Sequence, residues 1–171
     1  RAINGADGTV IWEFFPEGDT IDPADSGWYN FYSAQVIPDQ NTDGTKDLLV
    51  ANGGDHSIPS WDTVRPPGHI MILDGLTGAI LAKAVVPDCQ ETYCSPLLVD
   101  LKNNGNYNVI FGTGGETAGG SMWTAPLSSL LGNDLSAAIA IATDNSRGFI
   151  APPAVADLDG DLTLDIIIQG F

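Results

Sequence analysis

The chain has 171 residues, with 6 basic and 22 acidic side chains and a formal net charge of −16. Hydrophobic residues make up 43% and charged ones 16%, a globular composition with enough length for one domain and a real core. So acidic a chain repels phosphate backbones and anionic bilayers, which argues against nucleic-acid partners. No apolar run approaches the roughly 18–20 residues that a membrane crossing requires, so no membrane insertion is expected.

The acid is mostly aspartate, 18 Asp against 4 Glu, although solubility alone would draw on both. Aspartate favours turns and short-reach metal ligation. With 20 Gly and 11 Pro the chain should turn often, and long periodic helices are absent. It opens at Arg1 with neither an initiator Met nor a signal peptide, the pattern of a processed or excised piece.

The first element, Ile3-Asn4-Gly5-Ala6-Asp7-Gly8-Thr9-Val10-Ile11-Trp12, is read as strand, Gly-rich turn and strand. An irregular stretch, Phe15 to Asn30, follows. Val36-Ile37-Pro38 then leads into the polar loop Asp39 to Asp47, and Leu48-Leu49-Val50 leads out of it. After a second irregular stretch, Gly53 to Gly68, the hairpin pattern returns nearly position for position as Leu73-Asp74-Gly75-Leu76-Thr77-Gly78-Ala79-Ile80-Leu81-Ala82.

Cys89 and Cys94 stand in the next connection, Val86 to Ser95. Their spacing suits a local disulfide across a surface loop, which needs an oxidising compartment; two unrelated thiols are the alternative. Then Leu97-Leu98-Val99, the loop Asp100 to Asn108 and Val109-Ile110-Phe111 repeat the strand–loop–strand pattern. Gly112 to Gly120 is glycine-rich, but it lacks the Lys-Ser/Thr ending of a phosphate loop and reads as a connection. Between Pro126 and Ile141 helix and strand compete. The last unit is Ala154-Val155-Ala156, Asp157 to Asp165 and Ile166-Ile167-Ile168.

Registered on Asp39, Asp100 and Asp157, these units interleave with the hairpins to give four strands, A to D, in about 60 residues, the size of a β-propeller blade. The expected fold is all-β, a β-propeller segment of four-stranded antiparallel blades amounting to about three blade equivalents. Within a single segment 1–171, residues 1–15 are a C-D half blade, 31–85 and 94–143 are blades, and 150–171 is an A-B half blade.

The nine-residue loops carry the chemistry. Asp39, Asn41, Asp43 and Asp47, and again Asp157, Asp159, Asp161 and Asp165, place oxygen at positions 1, 3, 5 and 9. Thr45 and Thr163 at position 7 can add a backbone carbonyl. Calcium, a hard ion, takes six to eight such oxygens, whereas magnesium demands a tighter octahedron. The alternative is an Asx-rich turn without metal. In the middle loop Lys102 stands at position 3 and Asn108 at position 9, so that loop should be metal-free or very weak.

The runs Asp39-x-Asn41-x-Asp43-Gly44-x-x-Asp47-Leu48 and Asp157-x-Asp159-x-Asp161-x-x-x-Asp165-Ile166 resemble the calcium loops of FG-GAP (VCBS-type) repeats, the blades of integrin-α-like propellers. The hairpin Leu73-Asp74-Gly75-x-Thr77-Gly78 resembles the blade ends of quinoprotein-like propellers. The resemblance implies a secreted or cell-surface, calcium-stiffened propeller for adhesion or recognition. Its partners would be a protein or glycan ligand on the long-loop face, and the rest of a longer propeller chain or further copies of itself.

Trp28, Tyr29, Trp61, Arg65 and His69 lie in or beside the long connections and could form that ligand face; plugging gaps between blades is the alternative for the aromatics. An enzyme is not expected, because neither His56 nor His69 stands in a nucleophile–base or His-x-x-x-His pattern. A structural assembly or filament module, or part of a polysaccharide lyase or quinoprotein-type enzyme, are the other classes considered.

Overall fold

A computed structural model describes residues 1–14, 29–54, 58–59, 62 and 64–170. Within them the protein is all-β except for one single-turn helix, and every strand pairing is antiparallel. A two-stranded hairpin comes first, β1 (Ala2–Ile3) and β2 (Val10–Trp12). Sheet one follows in simple up-and-down order: β3 (Gln35–Ile37), β4 (Asp47–Asn52), β5 (His69–Leu73) and β6 (Ile80–Val85).

Sheet two repeats that order with β7 (Leu97–Val99), β8 (Asn108–Gly112), β9 (Gly120–Pro126) and β10 (Ile139–Asp144). Between β9 and β10 the competition of helix and strand is resolved by splitting the segment. Leu127–Leu131 forms helix α1, started by Pro126, and Ile139 onward is strand. A second hairpin, β11 (Ala154–Ala156) and β12 (Asp165–Ile167), ends the row.

The central strands are apolar on both faces because each sheet is covered on both sides. On β4, Leu49 and Ala51 turn to sheet two and join a core with Phe111, Val109, Ala125 and Leu130. Val50 turns the other way, with Met71 and Leu73, against Phe14, Tyr29 and Phe31. Sheet two likewise buries Ile110 and Met122 against Val155, Leu164, Ile166 and Ile168. The order in space is therefore first hairpin, sheet one, sheet two, second hairpin.

Polar contacts set the spacing along this row. The Trp12 indole N–H donates to the Gly75 carbonyl at 2.9 Å, and its ring lies where a Cβ on Gly78 would stand. The Gln35 side-chain amide pairs with the backbone of Leu98, accepting its N–H at 2.6 Å and donating to its carbonyl at 3.5 Å. Asn133 Oδ1 accepts the Lys83 N–H at 2.8 Å, and Leu164 N–H donates to the Leu101 carbonyl at 2.9 Å.

Candidate metal centre

The three nine-residue loops join β3 to β4, β7 to β8 and β11 to β12, and they share one backbone frame. Positions 4 and 6 have positive φ in each: Thr42 and Gly44, Asn103 and Gly105, Gly160 and Leu162. The first carboxylate holds this double reversal together. Asp39 accepts the N–H groups of Thr42 at 2.7 Å and Gly44 at 2.8 Å; Asp157 accepts those of Gly160 at 2.7 Å and Leu162 at 3.0 Å. Asp100 accepts the Gly105 N–H at 2.6 Å.

Asx turns fill in the middle, since a side chain of this length reaches the N–H two residues on. Asn41 and Asp159 at position 3 accept from Asp43 and Asp161, both at 3.1 Å. Asp43 and Asp161 at position 5 accept from Thr45 and Thr163, both at 2.7 Å. At position 9, Asp47 accepts the Gln40 N–H at 2.6 Å and Asp165 the Leu158 N–H at 2.9 Å. In the middle loop Lys102 has no acceptor to offer, and Asn108 turns to Thr124 Oγ1 at 3.5 Å.

These bonds bring the chain's carboxylates together unequally. One oxygen each from Asp157, Asp159 and Asp165 lies within 4.8 Å of the others. Among the described residues this is the one such group, and Asp161 stands outside it. In loop one Asp47 is wholly buried and spends its second oxygen on the Gly75 N–H at 3.1 Å, while Asn41 reaches across to Asp74 at 3.2 Å. Loop one is therefore tied to the β5–β6 turn, whereas loop three stands open. The N–H of Gly44 above all, with those of Thr42, Asn41 and Asp43, holds the Asp39 carboxyl below the usual carboxylate range.

Of the residues expected on the long-loop face, those the structure describes are engaged in packing. Trp28 and Trp61 lie outside the described residues. His69 is 1% exposed, a β5 residue paired with Asn52 and Val85, so it presents no side chain to a ligand. Arg65 is buried against Glu91 in an ion pair of 2.5 Å and bonds the Tyr93 hydroxyl at 3.1 Å. Tyr93 in turn donates to Glu91 and stacks edge-on to Tyr32. Burial first, and then this bond to Glu91, pushes the Tyr93 hydroxyl well above its ordinary value. Tyr29 packs with Phe14 and Phe31 beneath the first hairpin, filling a gap between elements.

The expected Cys89–Cys94 disulfide is absent. Cys89 is an exposed turn residue with φ 55°, whereas Cys94 is buried with its thiol 3.3 Å from the Ala151 carbonyl. Packing of Cys94 between Gly112 and Phe149 aims its sulfur into the core and away from the turn. Sequence reasoning missed the Arg65–Glu91–Tyr93 cluster, whose members come from two connections with no spacing pattern. No family model, curated protein or solved structure matches this chain.

Proposed function

We propose that this chain is a non-catalytic, calcium-binding β-propeller segment that serves adhesion or recognition outside the cell. The observation that carries the reading is the convergence of Asp157, Asp159 and Asp165 in loop three, on a backbone frame it shares with loop one. Their donors are hard oxygens, the set calcium prefers. Of these residues, Asp159 Oδ2 and Asp165 Oδ1 accept no hydrogen bond among the described residues, and Asp161 Oδ2 beside them accepts none either. Asp157, Asp159, Asp161 and Asp165, with the Thr163 carbonyl, would hold the ion. Loop one, with Asp39, Asn41, Asp43, Asp47 and the Thr45 carbonyl, would take a second.

Calcium here would offset repulsion among neighbouring carboxylates and stiffen the strand-joining ends of sheet one and of the second hairpin. Sheets in a row, each covered on both faces by its neighbours, support the propeller reading. Recognition of a protein or glycan would fall to the opposite end, where the long connections lie.

The test is calorimetric titration of calcium into chelated protein, with the thermal midpoint followed in parallel. A bound ion raises the midpoint by mass action, at affinities of about 10⁻⁴–10⁻³ M for extracellular modules. Absence of both heat and a midpoint shift at millimolar calcium overturns the metal reading. A glycan array on the loaded protein then tests recognition.

A further inference from the structure

The end of sheet two opposite its nine-residue loop holds an open polar cleft of about 320 Å³, within the range of small-molecule sites, about 300–1,000 Å³. Three stretches distant in sequence meet there. The connection after β6 brings Asp88 and Gln90, β9 begins with Gly120 and Ser121, and β10 runs out through Thr143 and Asp144 to Asn145. The backbone closes tightly behind them: a Cβ on Gly120 would lie 2.1 Å from the Thr113 carbonyl oxygen.

Hydrogen bonds fix this wall from behind. The Thr113 hydroxyl, wholly buried, donates to Asp88 Oδ2 at 2.5 Å and accepts the Ser121 N–H and the Trp123 indole N–H, both at 3.0 Å. Asp88 Oδ1 accepts the Gln90 N–H at 3.1 Å. Asp144 Oδ1 takes three donors, the Ser146 N–H at 2.8 Å, the Ser146 hydroxyl at 2.7 Å and the Arg147 N–H at 3.2 Å. The bonds from Ser146 above all hold the Asp144 carboxyl below the usual carboxylate range. Ser121 and Thr143, opposite each other on paired strands, share one hydroxyl bond of 2.8 Å.

Other groups lining the cleft remain unspent. Among the described residues, the side-chain amides of Gln90 and Asn145 and the Asp144 Oδ2 form no hydrogen bond. The Ser121–Thr143 pair keeps one hydroxyl proton to donate. Each amide offers both an NH2 and a carbonyl oxygen, so donors and acceptors are mixed. Two carboxylates, with no basic side chain among the lining residues, repel a phosphate, sulfate or carboxylate ligand. A simple cation would use the acceptors and leave the amide NH2 groups unanswered, and an apolar ligand would strand the whole set. A polyol answers all of it, because every hydroxyl both donates and accepts.

We propose that this cleft binds a neutral saccharide unit, held through its hydroxyls by the Gln90 and Asn145 amides, Asp144 Oδ2 and the Ser121–Thr143 pair. The proposal rests on the recognition reading above, which it narrows to one site and one ligand class, and it draws on no metal.

A glycan array carrying neutral, sialylated and sulfated glycans is probed with the full chain and with the double variant Gln90→Ala/Asn145→Ala, both in millimolar calcium. Neither replaced side chain belongs to the core, so circular dichroism is unchanged. The wild type binds neutral glycans. For the strongest of them, titrated as the free oligosaccharide, the double variant loses affinity by roughly ten-fold or more. The same oligosaccharide shifts the side-chain NH2 resonances of Gln90 and Asn145 in the wild-type protein. An array silent for neutral glycans overturns the proposal and leaves recognition to a protein ligand. Neutral-glycan binding that the double variant retains in full, or shifts confined to other residues, overturns this site while glycan recognition stands. Binding confined to acidic glycans overturns the ligand class.

Discussion

Asp47 and Gly75 belong to different turns of sheet one, and the carboxylate of the first fixes the backbone of the second. Asp47 Oδ1 takes the Gly75 N–H at 3.1 Å while Oδ2 takes the Gln40 N–H at 2.6 Å, with no solvent at the side chain. Asp47→Ala strands two N–H donors. Each costs about 1–3 kcal/mol when buried, so the loss should be about 3 kcal/mol in urea denaturation. Asp165, half-buried and with its side chain bonded, among the described residues, to Leu158 alone, should lose only about 1 kcal/mol as alanine. Equal losses at the two positions would show that the Gly75 bond contributes nothing.

Leu162 holds φ 71° at position 6 of loop three, where loops one and two have glycine, and its side chain is 85% exposed. A left-handed conformation costs an L-residue roughly 1–2 kcal/mol, and no packing compensates for it there. Leu162→Gly should raise stability by about 1 kcal/mol, and Gly44→Ala should lower it by a similar amount. Thermal melts of the two variants decide; a lower midpoint for Leu162→Gly would mean that the φ carries no strain.

The two thiols should differ in reactivity. Burial pushes the Cys94 thiol up to about 11, so it is neither accessible nor ionised at neutral pH, while Cys89 is exposed. Ellman's reagent should label one thiol quickly in the native protein and two after denaturation. Two rapid native equivalents would contradict the burial of Cys94, and none in denaturant would restore the disulfide.

Acid should loosen loop one through Asp39. Its folded-state carboxyl lies below the ordinary aspartate value because of the N–H groups of Gly44 and its neighbours. Its contribution is therefore present above the unfolded value, about 4, and is lost as pH falls through the folded value. Asp39→Asn, which cannot ionise, should flatten the acid limb of a stability–pH profile measured in chelator. An unaltered limb would assign acid lability to other carboxylates.

Glu91 gives up its solvent to Arg65 and Tyr93, so removing the cation should leave a buried charge uncompensated. Arg65→Met should cost about 3–5 kcal/mol. The Tyr93 hydroxyl, raised chiefly by burial, should stay protonated through the ordinary tyrosine range in an ultraviolet titration of the native protein and ionise there only after unfolding. Simultaneous ionisation of all tyrosines in the native protein would rule out the buried cluster.

What was legible in the sequence was whatever local chemistry decides. Ile166-Ile167-Ile168 reads as strand because β-branched residues suit a pleated, covered surface, and Asp39 to Asp47 reads as a loop because Asx side chains compete for backbone N–H groups. The all-β character and the four-stranded antiparallel sheets follow from such segments. Placement of side chains between elements was not legible. Arg65 meets Glu91 across 26 positions, and Cys94 turns inward because Phe149, far along the chain, packs on it. The five-residue helix after β9 balances on Pro126, where local preference is nearly even. Of the candidate centre, the oxygen-bearing positions could be read in advance; the contrast between an Asp47 wholly spent on hydrogen bonds and an Asp165 with an oxygen to spare could not.

Gln35 joins the two sheets by imitating a peptide group: its amide meets Leu98 through backbone N–H and carbonyl alone. A seam read this way is indifferent to which side chain stands on the far side. Leu98 can be exchanged for another apolar strand-forming residue without altering either bond, provided that its place in the core shared by the two sheets stays filled. The middle loop, with Lys102 and Asn108 in place of acceptor carboxylates, belongs to sheet two. A joint indifferent to its partner's side chains allows one module to drift in sequence while the row keeps its alignment.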